Sequence, residues 1–220
     1  TGTNTDKMFR NITERFRWGG LDRPDADKLY LDETVRRMVN THRTAIIELA
    51  NALVNEALDS IRSRTDSTST NEEIIALINS DKFASDRLAK AVTVLDLMDE
   101  KLPEAPAPYA TRMGLEIAEL YNHIGDLTGN SEALDKGMKI ISSELDKAAG
   151  SLVYYRSLTP GQFASLQNAD KYVFYYYIPD LIRTYVTYGG DYEALEKEWA
   201  ARGVNVNDMR QLLTSSSRQN

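Results

Sequence analysis

The chain has 220 residues, of which 42% are hydrophobic and 27% charged, ordinary proportions for a globular protein. With 26 basic against 33 acidic residues, its net charge of −7 works against binding phosphate backbones, so nucleic acid is not an expected partner. It has no cysteine, which excludes disulfides and thiolate-metal sites without fixing a compartment, and no apolar run approaches the ~20 residues needed to span a bilayer.

Thr1-Gly2-Thr3-Asn4 reads as the edge of a longer chain, and no secretory signal follows it. From Asp6 to Gly20, Met8, Phe9, Ile12 and Phe16 recur at helical steps, and Gly19-Gly20 stops the helix. Leu21 to Leu31, with Pro24 and several aspartates, reads as a loop. Asp32 is a good N-cap, with Glu33 in the favourable first turn, for a helix running to about Ser63. Thr41-His42-Arg43-Thr44 is the weak point where that helix is expected to break. Thr65 to Asn71 is an exposed polar loop, Glu72 to Asn79 a short apolar helix, and Asp86 to Leu102 a stronger one. Pro103, Pro106 and Pro108 end it in a stiff connector.

Thr111 to Ile124 predicts a helix, Gly125 to Asn130 a turn, and Ser131 the cap of a helix reaching Lys147 or beyond. Lys171 to Tyr188 is rich in tyrosine. Its run Tyr172 to Ile178 is β-prone by composition, but no partner strand is in view, so it reads as the start of a helix. Gly189-Gly190 breaks that helix, Asp191 caps a last one to Ala201, and the tail from Thr214 is polar and frayed.

One motif occurs three times: a large apolar residue, a small or apolar one, two free positions, Tyr or Leu, three free positions, then Gly or Ala. The copies are Leu49-Ala50…Leu53…Ala57, Ile117-Ala118…Tyr121…Gly125 and Leu181-Ile182…Tyr185…Gly189. They resemble the first helix of a tetratricopeptide repeat, in which the small residue lets two helices approach, the tyrosine packs between them and the glycine permits a left-handed helix end. Partial second helices follow: Ala91, Leu95, Met98 and Pro103 in the first unit, Ala133 and Ile140 in the second, and Ala194 in the third. The spacing between copies is about twice the ~34-residue period of that family. The array is therefore degenerate, with an insertion at about Leu58 to Arg87. The competing reading is a generic helical bundle with these residues at chance spacings.

The opening stretch Asp6-Lys7-Met8-Phe9…Asn11…Phe16-Arg17-Trp18-Gly19, followed by Tyr30-Leu31-Asp32-Glu33, is similar to the start of a C-terminal soluble domain. That domain belongs to a Bacteroidetes family of polytopic membrane proteins related to the transmembrane O-mannosyltransferase. Val94-Leu95-Asp96, Pro108-Tyr109 and Tyr154-Tyr155…Ser157-Leu158 continue the likeness, which runs with gaps from Asp6 to Leu158 and more thinly to Ala201. The resemblance implies a glycosyltransferase-like parent whose catalytic residues lie in a transmembrane part outside this chain. It also implies a soluble domain on the extracytoplasmic side, attached to the membrane only through a missing N-terminal region. A free-standing protein of this sequence would instead be expected in the cytoplasm.

Catalytic chemistry is sparse. His42 and His123 fall on different helices with no second histidine at i+4, and each reads as a surface or groove residue and not as a metal ligand. Asp96, Asp99 and Glu100 cluster at a helix end, and Asp22, Asp25 and Asp27 share a loop, but nothing indicates the shielded cleft that acid–base work needs. Neither a metal nor a cofactor is expected. Asn11-Ile12-Thr13 is a glycosylation sequon only in a eukaryotic secretory setting.

The 12 tyrosines are the most distinctive feature, with Tyr172, Tyr175, Tyr176 and Tyr177 in one patch. Tyr172 and Tyr176 share a helix face while Tyr175 and Tyr177 diverge from it, so some are expected in the core and some outside. Exposed tyrosines make good binding anchors and also stack on sugar rings.

These observations predict an all-α protein of degenerate tetratricopeptide-like hairpins forming an α–α superhelix. Residues 1–31 are an N-terminal extension, 32–213 the helical domain and 214–220 the tail. The expected role is non-catalytic binding of a protein, peptide or glycan partner. The alternatives are a free-standing tetratricopeptide adaptor, a glycan-binding helical protein of the nutrient-uptake type, and a helical enzyme with an unrecognised site.

Overall fold

In the computed structural model, residues 4–65 and 68–204 are described, Asp27 without its side chain. Their regular elements are helices, and no strand occurs among them. The chain forms two compact units, one up to Gly137 and one from Met138. The boundary falls inside a helix, and the segment 214–220 lies outside the described residues.

In the first unit, α1 (Thr5–Arg10) begins where the Asn4 side chain accepts the Lys7 N–H at 2.9 Å, and it continues as a π turn, Asn11–Arg15. A charged knot ties it down. Arg87 reaches Asp6 at 2.9 Å and Glu56 at 3.0 Å, and the Thr5 hydroxyl donates to Glu56 at 2.8 Å. Arg87 is largely buried, so its partners offset a substantial desolvation cost. The same knot holds the Asp6 carboxyl well below the usual carboxylate range, chiefly through the Arg87 hydrogen bond.

Helix α2 (Glu33–Ile61) starts at Asp32, whose carboxylate accepts the Val35 N–H at 2.8 Å. The expected break at Thr41–Thr44 does not occur. Both threonine hydroxyls donate back to the carbonyls of Arg37 and Asn40, at 2.9 and 3.0 Å, and so leave the helical bonding intact. Leu49, Ala50, Leu53 and Ala57 are fully buried along one stripe. The stretch expected as an insertion, 58–87, holds the end of α2, a 3-10 turn (Arg62–Arg64) and α3 (Asn71–Ser80), opened by a capping box between Thr70 and Glu73. Helix α4 (Lys82–Lys101) starts four residues before the expected Asp86, because Asp81 accepts the N–H groups of Phe83 and Ala84. Ala84, Ala91, Val94 and Leu95 are fully buried in it, and α2 is its main packing partner.

Beyond α4, Arg43 organises the proline connector. The side chain is 0% exposed and every guanidinium N–H is used. Nε donates to the Leu102 carbonyl at 3.2 Å, Nη2 to the Leu102 and Pro103 carbonyls at 2.8 Å each, and Nη1 to Ala107 O at 2.7 Å and Asn40 Oδ1 at 2.8 Å. The Tyr109 ring covers it, 4.7 Å from centroid to Cζ. Burial pulls the guanidinium below its ordinary pKa. A cation set on carbonyls just past a helix end also opposes the negative end of the α4 dipole.

Helix α5 (Met113–Thr128) extends past the expected turn at Gly125. The left-handed residue is Gly129, at φ 70°, and the Asn130 N–H closes back onto the Gly125 carbonyl at 3.1 Å. Gly125 is instead a helical residue of close approach, since a Cβ built on it would lie 2.6 Å from Leu134 Cγ. Asn130, not Ser131, caps α6 (Ser131–Ser157) by accepting the N–H groups of Glu132 and Ala133. Within the first unit α5 and the start of α6 touch through small residues: a Cβ on Gly137 would meet the Ala118 carbonyl at 2.9 Å and overlap the Asn122 amide. Ile117, Ala118 and Tyr121 are all buried. The Tyr121 hydroxyl donates to Asp96 at 2.8 Å, and Lys136 pairs with the same carboxylate at 2.9 Å.

In the second unit, Thr159 caps α7 (Pro160–Ala164), followed by α8 (Asn168–Tyr172), a π turn (Val173–Tyr177), α9 (Ile178–Thr187) and α10 (Tyr192–Ala201). The π turn has a cause in sequence. Pro179 lacks an N–H and its ring would press on the carbonyl four residues back, and the widened turn just before it relieves both. Gly189 does take the left-handed conformation expected of it, at φ 88°, and Gly190 lies flat against the Tyr185 ring. Asp191 caps α10 by accepting the Ala194 N–H at 3.0 Å. Ala194 itself faces solvent, contrary to its expected place in an interhelical seam, because Leu195 and Trp199 are the buried face of that helix.

Candidate binding site

The tyrosine patch lies along α8, the π turn and α9, and the structure divides its members. Phe174, Tyr177, Ile178, Leu181 and Thr184 are the inward face, at the three- and four-residue steps of a helix stripe. Tyr177 is therefore a core residue and not a binding anchor: it is 7% exposed, and its hydroxyl donates to the buried Glu144, which also pairs with Lys147 at 2.6 Å. Tyr175 is half-buried, its ring edge-on to Phe163 and Phe174 with centroids at 6.3 and 5.0 Å. Tyr155 completes this ring cluster, 5.7 Å from Phe174, and burial pushes its phenol pKa up.

Tyr172 and Tyr176 turn outward. They are 36% and 62% exposed and stack on each other, centroids 5.6 Å apart and ring planes at 29°. The i, i+4 spacing places them on one face, as the sequence predicts. Asn168 lies one turn before the pair, with Asp180 and Arg183 one and two turns after it. Asp180 and Arg183 pair at 2.7 Å. The end of α8 is also tied at the surface, where Lys171 donates to the Ala164 carbonyl at 2.9 Å. A polar–aromatic–aromatic–ionic ladder thus stands on a helix whose other side is locked into the core.

The remaining candidates resolve into structural roles. His42 is half-buried against the Phe16 ring, at 4.9 Å, and Phe16 in turn meets Trp18 at 4.7 Å. His123 is exposed at the rim of an open groove of about 720 Å³ between α2, α3 and α5, where Asn55, Asp59, Arg62, Asn71 and Asp126 also lie. Asp96 is occupied by Tyr121 and Lys136, and Asp22 by Lys101 at 2.9 Å. Asp6, Asp22 and Asp81 are all moved down in pKa, by hydrogen bonds from Arg87, Lys101 and the Ala84 N–H respectively, opposite to the shift a general acid needs. No group of three His, Asp or Glu side chains among the described residues is placed to share a metal ion.

Sequence reading missed Arg43, although it occupies a position on the apolar stripe of Val39, Ile46, Ile47 and Ala50 where a hydrophobe belongs. That signal, together with a proline connector rich in unpaired carbonyls, was sufficient to mark it as a clamp.

Comparison of the chain with protein-family models, with curated proteins and with solved structures gave no match. No described helix is long and apolar enough to cross a membrane.

Proposed function

We propose that this chain is a non-catalytic binding domain whose ligand surface is the outer face of the α8–α9 helix. The observation that carries this reading is the stacked Tyr172–Tyr176 pair, exposed to solvent on a helix whose inner face is fixed by Phe174, Tyr177 and Leu181. Large rings held in place by a rigid support give contact area at little entropic cost on binding.

The supporting scaffold belongs to the tetratricopeptide-like class. The Ala118–Gly137 and Gly125–Leu134 approaches and the Tyr121 bridge to Asp96 are the small–aromatic seam of such hairpins. The parent is a longer glycosyltransferase-like membrane protein with this domain on the extracytoplasmic side. Its support is the likeness of the Asp6–Glu33 phrases, and several hydrophobic spans encoded upstream of Asp6 are the expected finding in the full gene. A gene without them would remove the membrane assignment and leave the binding surface as it is.

The surface is tested by selecting ligands for the whole chain from a random peptide library and a glycan array, then measuring each against the Tyr172→Ala/Tyr176→Ala variant. Ligands that lose at least tenfold in affinity are expected. Ligands that bind the variant as well as the parent chain would refute the assignment.

A further inference from the structure

The polar groups beside the two exposed rings define the chemistry of the ligand, and this inference rests on the α8–α9 face being the binding surface. We infer that the site takes a neutral oligosaccharide of pyranose units, with Tyr172 and Tyr176 as its stacking platform and Asn168, Asp180 and Arg183 as its hydroxyl partners.

A pyranose ring has two kinds of surface. Its C–H face is apolar and packs on an aromatic ring, and its rim carries hydroxyls that each donate and accept. The site offers both. Tyr172 and Tyr176 stack on each other, 5.6 Å apart at 29°, and so brace each other while their outward surfaces, most of all that of the 62%-exposed Tyr176, stay open to a sugar's C–H face. At one end Asn168 supplies both a carbonyl acceptor and an amide donor. At the other, Asp180 accepts and Arg183 donates, and their 2.7 Å contact holds the two functions side by side, the arrangement that fits a pair of adjacent hydroxyls.

Charge narrows the class further. Asp180 and Arg183 neutralise each other, and Lys171 is engaged with the Ala164 carbonyl, so the face carries no unpaired cation from these residues to draw a phosphate or uronate. The chain's net charge of −7 adds repulsion toward polyanions. An amphipathic peptide helix is a poorer fit, since it needs a continuous apolar groove with anchors at i, i+3, i+4 and i+7. Here the exposed rings are followed by the Asp180–Arg183 ion pair, which interrupts the apolar surface before Val186.

The experiment is saturation-transfer-difference NMR on the whole chain with cellotetraose and mannotetraose as neutral probes and a tetragalacturonate as the charged one. Saturation is expected on the ring C–H protons of a neutral probe. Affinity is expected to fall at least tenfold in Tyr176→Ala and severalfold in Asp180→Asn, to stay within twofold in Tyr176→Phe, and to be weaker by at least tenfold for the uronate. Thermal midpoints of all variants separate loss of the site from loss of the fold. Absence of transfer to both neutral probes, or equal transfer in Tyr176→Ala, would overturn the saccharide assignment. If peptides from the library bind through the tyrosines while both saccharides stay silent, the ligand class is wrong and the surface stands. If no ligand of any kind depends on the tyrosines, both fail together.

Discussion

Replacing Arg43 by methionine keeps most of the side chain's length and removes five hydrogen bonds at once. Three of the acceptors are main-chain carbonyls in the connector after α4, at Leu102, Pro103 and Ala107, and Leu102 and Ala107 are themselves buried. A buried carbonyl left without a donor costs about 1–3 kcal/mol, and bonds from a charged donor are at the strong end of the range. Against this, methionine is cheaper to bury than a guanidinium, so part of the loss returns as relieved desolvation. A net destabilisation of about 3–5 kcal/mol of the first unit is expected. In urea unfolding this appears as a fall in the midpoint on the order of 2 M with an unchanged slope. Arg43→Lys keeps the charge but offers at most three donors from one point, and it should fall between the parent chain and Arg43→Met. A midpoint for Arg43→Met within about 0.3 M of the parent would refute the reasoning, because the connector would then be held by something other than this clamp.

Gly125→Val should destabilise by about 1–3 kcal/mol in urea unfolding, through overpacking against Leu134 and not through backbone strain, and Leu134→Ala in the same chain should recover part of the loss. Gly150→Ala should do the opposite and stabilise by about 0.5–1 kcal/mol, because that helical glycine has open space where a Cβ would stand. The Tyr121 phenol is pushed far up in pKa, first by burial and then by the Asp96 charge, so its neutral form belongs to the fold. Its contribution is fully present below the unfolded value of about 10 and is lost as pH rises beyond it, by up to about 1.4 kcal/mol per pH unit. Tyr121→Phe should therefore be less stable than the parent chain at pH 8, with the gap closing between pH 9 and 11 in urea titrations.

Helix existence was legible in the sequence because hydrophobic period and capping residues agree locally. Asp32 and Asp191 sit at helix starts and accept the N–H groups their side chains can reach. What the sequence hid was decided by distant partners. Motif spacing selected Gly125 as the turn, but whether a glycine turns or allows close approach depends on what lies opposite it, and opposite Gly125 is Leu134. Arg43 looked like part of a polar break because its acceptors lie about sixty residues along the chain. The tyrosine patch was legible as a split between inside and outside. Tyr177 falls on the same stripe as Phe174, Ile178 and Leu181, but the Glu144 carboxylate that receives its hydroxyl lies 33 positions away, where no local pattern points. Ala194 failed for a related reason: the buried face of α10 is set by Trp199 and Leu195, and the repeat spacing pointed one residue away from it.

The most direct measurement is calorimetric titration of a ligand selected by the parent chain into Tyr172→Ala/Tyr176→Ala, with the thermal midpoint of the same sample recorded beside it. Two solvent-facing rings on a helix secured from behind should be removable at a stability cost under about 1 kcal/mol, while affinity falls at least tenfold. Undiminished binding, or a loss of binding that only accompanies unfolding, would contradict the assignment of this face as the ligand surface.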